Sequence, residues 1–171
     1  LQQNYTGDYE IIVVDDGSAE AIPENRFGKA VRLIRHPKNK GLPEALNTGI
    51  REATGDRFVI CAADDELSPD YLLDTSKFDT DIVSVDMWAG SGPIRSVAGS
   101  VDMLIKSNCH SYAALVKKSL WQKVGGFKAA MNPSWEDWEF WLNCAKHGAK
   151  WHHVAKIGRA SCRERVYISV V

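Results

Sequence analysis

Several features that mark particular protein classes are scarce in this chain of 171 residues. No apolar run approaches the roughly 18 residues that a membrane-spanning helix needs. The 21 basic and 22 acidic residues nearly balance, so no general attraction to nucleic acid or anionic lipid is expected. Neither a membrane-spanning helix nor general binding of nucleic acid is therefore expected within these residues, and their number suits one domain with a sizeable core.

Cysteine is scarce as well. The four cysteines are widely spaced, and none of them forms a Cys-x-x-Cys pair. This argues against a disulfide framework and against a zinc site. Cys61, Cys109 and Cys144 are expected to be buried thiols of a protein in a reducing compartment, which predicts a cytoplasmic location.

The sequence does contain two apolar runs that end on paired carboxylates. Residues 11–14 lead into Asp15 and Asp16, and residues 58–63 lead into Asp64 and Asp65. Short apolar runs of this kind are typical of strands buried on both faces. Ligands of open α/β sheets bind beyond the carboxyl ends of the strands, where such carboxylates can hold a divalent cation. The alternative is that each pair only begins a loop.

The order of the predicted elements indicates an α/β fold with a layered sheet. Apolar residues at spacings of three and four predict a helix over 42–53. Strands are predicted at 10–14, 30–34, 58–62, 81–85 and 151–154, an edge strand at 111–116, further helices at 68–73 and 118–124, and a flexible loop at 88–100.

A tryptophan-rich segment predicts one more helix, which ends at Gly148. Its apolar residues recur at helical spacing, and they are expected to pack in the core. Ser134 followed by Asp137 fits a capping box. Asp137 can therefore be a helix cap, a chemically active acid, or both.

The ordered set of segments resembles the family-2 glycosyltransferases over residues 1 to about 154. The segments that carry the resemblance are 10–18, 39–42, 47–50, 63–65, 125–127 and 135–138. The resemblance implies a GT-A fold, with a Rossmann-like, mixed and mostly parallel sheet flanked by helices. It also implies inverting transfer of a sugar from a nucleotide-diphosphate donor, a UDP-sugar by preference, in polysaccharide or glycoconjugate synthesis.

The resemblance also assigns roles to individual residues. Asp137 falls on the general base, and Glu136 would position the acceptor or the base. Asp64 and Asp65 would bind Mn²⁺ or Mg²⁺ and the donor. The nucleotide pocket would contain Asp15, Asp16, Asn39, Lys40, Gly41 and Asp64. Two positions depart from the family pattern, with Ala62 where an Asp is frequent and Leu46 where an Arg is common.

The expected partners are the nucleotide-sugar donor and a saccharide, lipid-linked or protein-linked acceptor, without nucleic acid. Peripheral association with the inner face of the membrane stays open. Three alternatives remain. The first is a sugar nucleotidyltransferase, which would need a Gly-rich basic phosphate loop. The second is a receiver-like domain, which would need a later Lys at a strand end. The third is that this chain is a fragment without activity.

Both ends of the sequence carry expectations of their own. From Lys156 onward the chain resembles a translated sequencing adapter, so residues 1–155 are expected to form a partial glycosyltransferase domain and residues 156–171 to lie outside its fold. The opening residues resemble the end of a helix, which predicts that a parallel strand before them is missing.

Overall fold

The structure is a computed structural model. It describes residues 3–62, 65–89, 92–94, 101–110, 112–131, 134–159 and 167–170. The strands in these ranges are β1 Ile11–Asp15, β2 Val31–Arg35, β3 Arg57–Ala62, β4 Ile82–Ala89, β5 Gly92–Ile94, β6 Leu115–Lys117, β7 Trp151–Arg159 and β8 Tyr167–Val170. The α-helices are α1 Leu42–Glu52, α2 Tyr71–Thr75, α3 Val101–Lys106, α4 Lys118–Val124 and α5 Glu136–Lys146, and two short 3-10 helices span Glu24–Phe27 and Ala129–Met131.

The strands form one mixed sheet in the order β2-β1-β8-β3-β6-β4-β5, with β7 on the other side of β4. β1 is parallel to β2, and β4 is parallel to β7. β8 is antiparallel to β1 and β3, while β6 is antiparallel to β3 and β4. β1, β2, β3, β4 and β7 therefore share one direction, and their carboxyl ends meet at one side of the sheet, called here the carboxyl edge. The expected mixed α/β fold with flanking helices is confirmed. The expectation of a mostly parallel sheet is wrong for the pairings, because β8 and β6 run against the strands on either side of them and β5 runs against β4, so that only β1–β2 and β4–β7 pair in parallel.

β3 shows how the sheet is covered on both faces. Phe58 and Ile60 point into one apolar core, which also contains buried apolar residues from α1, α4 and α5. Val59 and Cys61 point into a second core beneath α2. Because successive side chains of a strand alternate between faces, a strand that is apolar throughout requires apolar layers on both sides.

Two of the predicted elements are wrong. The expected edge strand at 111–116 is the internal strand β6, which begins at Leu115 and lies between β3 and β4. The expected loop at 88–100 contains the end of β4 and all of β5, which pair with each other, and its residues 90–91 and 95–100 lie outside the described ranges. These short strands are defined by pairing with distant residues, and their turn-rich sequence favoured a loop.

β8 comes from the segment that the sequence analysis set apart. Its residue Tyr167 pairs with Val14 of β1 and with Ala62 of β3. Val14 and Ala62 therefore stand at the same height in the sheet, two strand spacings or roughly 10 Å apart. Asp15, which follows Val14, and the end of β3 at Ala62 therefore lie side by side at the carboxyl edge.

Candidate functional site

The predicted acidic segments of the chain converge on the carboxyl edge. β1 ends there at Asp15, and β3 ends there just before Asp65. Tyr112 lies at the same edge, because it precedes β6, which runs in the opposite direction. The Tyr112 hydroxyl donates a hydrogen bond to Oε1 of Glu136, the first residue of α5. The amino end of α5 is thereby attached to this edge.

Asp15 is buried and holds the turn that follows β1. Its Oδ1 accepts a hydrogen bond from the Ser18 backbone N–H at 2.9 Å, and its Oδ2 forms an ion pair with Arg35. Arg35 stands directly opposite Asp15 in the parallel register of β1 and β2. Burial alone would raise the pKa of Asp15, but the hydrogen bonds from Ser18 and the charge of Arg35 outweigh it and hold the pKa below its usual value.

Asp16 joins the end of β1 to the predicted loop at 39–41. Its Oδ1 accepts from the Lys40 backbone N–H at 3.0 Å, and its Oδ2 accepts from the Gly41 backbone N–H at 2.8 Å. His36 adds a third contact, with Nδ1 2.6 Å from Oδ1. A carboxylate offers about four acceptor sites, so one site on Oδ2 is left unfilled by the described residues. The structure thus brings Asp16 and residues 39–41 together.

His36 is a residue of this cluster that the sequence analysis missed. It is buried, and its two ring nitrogens bridge Asp16 and Thr48, with Nε2 3.0 Å from the Thr48 Oγ1. Since a carboxylate can only accept, Nδ1 carries a proton and donates to Asp16, and Nε2 lies within hydrogen-bond distance of the Thr48 hydroxyl. The contact between His36 and Asp16 follows from the parallel register of β1 and β2. Because Asp15 lies opposite Arg35, the next residues along the two strands, Asp16 and His36, also lie next to each other.

Gly17 allows the two loops to touch. Its φ is +75°, and a Cβ added there would lie 2.6 Å from the backbone N of Asn39 and from the backbone C of Lys38. Only glycine combines this conformation with such close backbone approach. The turn after β1 and the loop before α1 therefore form one packed unit.

The predicted metal ligands are described only in part, because Asp64 lies outside the described residues. Asp65 is half-buried at the end of β3, where its backbone N–H donates to the Ala62 carbonyl at 2.9 Å. Within the described residues, no group of three His, Cys, Asp or Glu side chains is placed to hold a metal ion. The role of Asp64 and Asp65 in metal binding stays a prediction.

Glu136 and Asp137 form the acidic first turn of α5. Glu136 is buried, and its Oε2 has no hydrogen-bond partner among the described residues. Asp137 is half-buried, and its Oδ2 accepts from Nδ2 of Asn108 at 2.7 Å. Its Oδ1 accepts from the backbone N–H of Trp138 at 2.7 Å. Both carboxyl groups thus lie in the first turn of the helix, near the positive end of the helix dipole.

The capping-box prediction for this helix is wrong. The N-cap residue is Trp135 rather than Ser134, and the Trp135 side chain forms no capping hydrogen bond. Asp137 is therefore the second helical residue, one position too early to be the third residue of a capping box. Trp135 has a φ of +72°, and this left-handed conformation turns the chain into the helix one residue later than the sequence pattern suggests.

The aromatic stripe of α5 packs as expected. Trp141 is buried in the core, and its ring stands edge-on to that of Phe140, with the centroids 5.1 Å apart. Trp138 is half-buried, and its Nε1 donates to the Leu104 carbonyl of α3 at 2.6 Å. α3, which the sequence analysis did not predict, thus fixes the first turns of α5.

Asn47 attaches the segment before α5 to α1. Its Nδ2 donates to the Phe127 carbonyl at 2.8 Å, and its Oδ1 accepts from the Phe127 backbone N–H at 2.9 Å and from Nε1 of Trp121 at 3.1 Å. Asn47 and Phe127 are both buried. These contacts are structural, and they join two of the segments on which the family resemblance rests.

Comparison with known proteins matches residues 1–85 to the family model described as Glycosyl transferase family 2. YwdF of Bacillus subtilis (strain 168), an uncharacterized glycosyltransferase, is 27% identical over 93% of this chain. Two solved structures share the fold. S. aureus TarS 1–349 in complex with UDP covers 90% of this chain with a TM-score of 0.70 and 18% identity. The mannosyltransferase PcManGT from Pyrobaculum calidifontis, in complex with GDP-Man and Mn²⁺, covers 91% with a TM-score of 0.64 and 20% identity.

The chain is shorter than these relatives. It spans 63% of the length of YwdF, 51% of the TarS chain and 48% of the PcManGT chain.

Proposed function

Because this chain belongs to the family-2 glycosyltransferases, we propose that it moves a sugar from a nucleotide-diphosphate donor to an acceptor hydroxyl. The supporting observation is that the acidic end of β1, the end of β3 and the acidic first turn of α5 all lie at the carboxyl edge. This is the edge at which ligands bind in open α/β sheets. The products proposed are polysaccharides or glycoconjugates.

The donor nucleotide binds beside Asp16 in this proposal. The unfilled acceptor site on its Oδ2 can accept a hydrogen bond from a base N–H, such as the imide N–H of uracil. Asp15 supports the turn from beneath, and Asn39 to Gly41 line the pocket. TarS was solved with UDP and PcManGT with GDP-Man, and for this chain we propose a UDP-sugar.

Asp64 and Asp65 would hold the divalent cation after β3. Their carboxylate oxygens fit a hard cation such as Mn²⁺ or Mg²⁺, which prefers oxygen ligands. When bound, the cation would neutralise negative charge on the leaving diphosphate. Asp64 would also contact the ribose or the donor sugar.

Asp137 is the proposed general base. Its position in the first turn of α5 favours the anion, which is the form that can accept a proton. Asn108 holds the carboxylate through its contact with Oδ2. As the acceptor hydroxyl attacks the anomeric carbon, its proton passes to Asp137, the bond to the diphosphate breaks, and the configuration inverts.

Glu136 is proposed to position the acceptor. Tyr112 fixes its Oε1, and its Oε2 is buried without a partner among the described residues. A buried carboxylate oxygen without a hydrogen bond is unfavourable. An acceptor hydroxyl that donates to Oε2 would remove this cost and would lie beside Asp137.

The residues proposed to act all precede residue 156. We propose that residues 1–155 form a partial glycosyltransferase domain and that residues 156–171 are foreign to its native fold, although Tyr167–Val170 pairs with β1 and β3 in this structure. Among the described residues, no helix is long and apolar enough to cross a membrane.

Replacement of Asp137 by Asn tests the proposed reaction. The full chain would be incubated with Mn²⁺, with UDP-glucose, UDP-N-acetylglucosamine or GDP-mannose, and with methyl glycosides as acceptors. We expect Asp137→Asn to reduce transfer about 10²- to 10⁴-fold, the usual contribution of a general base. Its affinity for the donor should be unchanged, because Asp137 lies on the acceptor side.

Asp79→Asn is the matched control. Asp79 is exposed and pairs with Arg57 and Lys117 at the opposite edge of the sheet, so this variant should transfer at the wild-type rate. Unchanged turnover in Asp137→Asn would refute the role of the base, and a wild-type chain that binds no nucleotide sugar would refute the proposed function.

A further inference from the structure

Trp135 combines two unfavourable properties at the start of α5. Its side chain is 60% exposed, although it is the largest apolar side chain of any residue type. Its φ of +72° makes it the one non-glycine residue with positive φ in the described part of the chain. Left-handed backbone is rare for bulky residues, and such outliers concentrate at functional sites.

The fold itself gives no reason for tryptophan at this position. An N-cap position favours Ser, Thr, Asp or Asn, whose side-chain oxygens accept hydrogen bonds from the first backbone N–H groups of the helix. Glycine is also favoured there. A positive φ favours Gly or Asn. Trp135 supplies no side-chain cap. Its ring must therefore contribute something other than helix stability.

The surroundings of Trp135 hold its ring in place beside the acidic turn. The rings of Trp135 and Trp138 are tilted by 59°, with centroids 5.6 Å apart. Trp138 is in turn fixed by its hydrogen bond to the Leu104 carbonyl. The next two residues in the chain are Glu136 and Asp137. An exposed aromatic side chain thus immediately precedes, in the chain, the proposed acceptor-positioning acid and the proposed base.

We propose that Trp135 is the platform on which a pyranose ring of the acceptor stacks, an inference that rests on the proposed function. One face of many pyranoses consists of C–H bonds with a partial positive charge. This face complements the negative face of an indole ring and buries its apolar surface. Hydroxyls at the sugar rim would then reach Oε2 of Glu136 and the carboxylate of Asp137. The structure assigns the acceptor class in this way, as a saccharide bound through its ring.

Replacement of Trp135 by Gly separates this role from a structural one. Glycine accepts the positive φ without strain, which offsets the loss of the ring contact with Trp138, so the urea midpoint of Trp135→Gly should stay close to that of the wild type. The KM for methyl glycoside acceptors should rise roughly 2- to 12-fold, the equivalent of one aromatic stacking contact. The kcat, the donor affinity and the donor hydrolysis rate should stay unchanged, and Trp135→Phe should restore most of the acceptor affinity.

Tyr9→Ala is the matched control, since Tyr9 is a partly exposed aromatic residue before β1, at the opposite edge of the sheet. Its acceptor KM should equal that of the wild type. Methyl and n-octyl glycosides, used in parallel, distinguish a sugar from an alkyl chain as the group that stacks. If Trp135→Gly raises the KM for octyl glycosides alone, the ring contacts an apolar chain, and the proposal is wrong.

The outcomes also separate this proposal from the proposed function. If Asp137→Asn abolishes transfer but Trp135→Gly leaves the acceptor KM unchanged, the function stands and the platform does not. If the wild type transfers no sugar, saturation-transfer NMR can still test whether Trp135 binds a saccharide. Methyl β-D-glucopyranoside, galactopyranoside and mannopyranoside would be mixed with the wild type and with Trp135→Gly. Equal signals from both proteins would overturn the platform, and a signal lost in Trp135→Gly would support it.

Discussion

Replacement of Asn47 by Ala should be among the most destabilising single changes in this protein. Asn47 makes three hydrogen bonds, two to the backbone of Phe127 and one to the indole of Trp121. Alanine makes none of them and leaves a small void. The backbone N–H and carbonyl of Phe127 would then remain buried without partners.

The structure sets the size of this effect. Each buried polar group that loses its partner costs about 1–3 kcal/mol, so the two backbone groups of Phe127 together predict a loss of about 2–6 kcal/mol. The indole of Trp121 is half-buried and can bond to water instead, so it adds little. Domains of this type are stable by only about 5–15 kcal/mol in total. The change should therefore also lower the melting temperature, by about 2–4 °C for each kcal/mol.

Urea unfolding followed by far-UV circular dichroism measures the loss. Asn143→Ala is the matched control, because the Asn143 side chain makes a single hydrogen bond to the described residues, from Nδ2 to the Val124 carbonyl at 2.9 Å, at a half-buried site. The control should lose about 1 kcal/mol. The reasoning is refuted if Asn47→Ala loses no more stability than Asn143→Ala, since the count of buried partners would then have no bearing on the energy.

Two further predictions concern stability. Gly126→Ala should destabilise the protein more than Gly148→Ala. Both glycines have positive φ, but only at Gly126 would the new Cβ collide with a side chain, at 2.7 Å from Oδ1 of Asn47. Equal urea midpoints for the two variants would contradict this. His110 stacks on Trp151 at 4.4 Å, and burial with the nearby positive charge of His153 lowers its pKa to about 4. Below pH 6.5 the unfolded chain binds a proton that the folded chain does not, so stability should fall between pH 6.5 and about pH 4. His110→Phe should lose less stability than the wild type between pH 7 and pH 5, and parallel losses would show that His110 is not responsible.

The sequence predicted those parts of the fold in which local pattern and tertiary role agree. The apolar run of β1, the helical periodicity of α1 and the tryptophan stripe of α5 all identify elements whose buried faces follow directly from residue spacing. β5, β6 and α3 have three to six residues each, too few to show a period. Their existence depends on partners elsewhere in the chain.

The residues of the candidate site were likewise predicted only in part. The carboxylates of Asp16 and Asp137 were predicted as site residues, Asp16 because it follows an apolar strand pattern and both because their segments resemble those of the family. The contact of His36 with Asp16 depends on strand register, which no local pattern encodes. The positive φ of Trp135 was equally invisible, because neither glycine nor asparagine marks the position.

β6 has a mechanical consequence that reaches beyond its three residues. Because β6 is antiparallel to β3 and β4, the residues that precede it lie at the carboxyl edge. Tyr112 is one of these residues, and there it contacts Glu136. The number of residues between Tyr112 and the first paired residue of β6 therefore determines where α5 lies relative to the sheet. An inserted or deleted residue between Tyr112 and Leu115 would shift the acidic turn relative to the sheet while leaving every acid in the sequence intact.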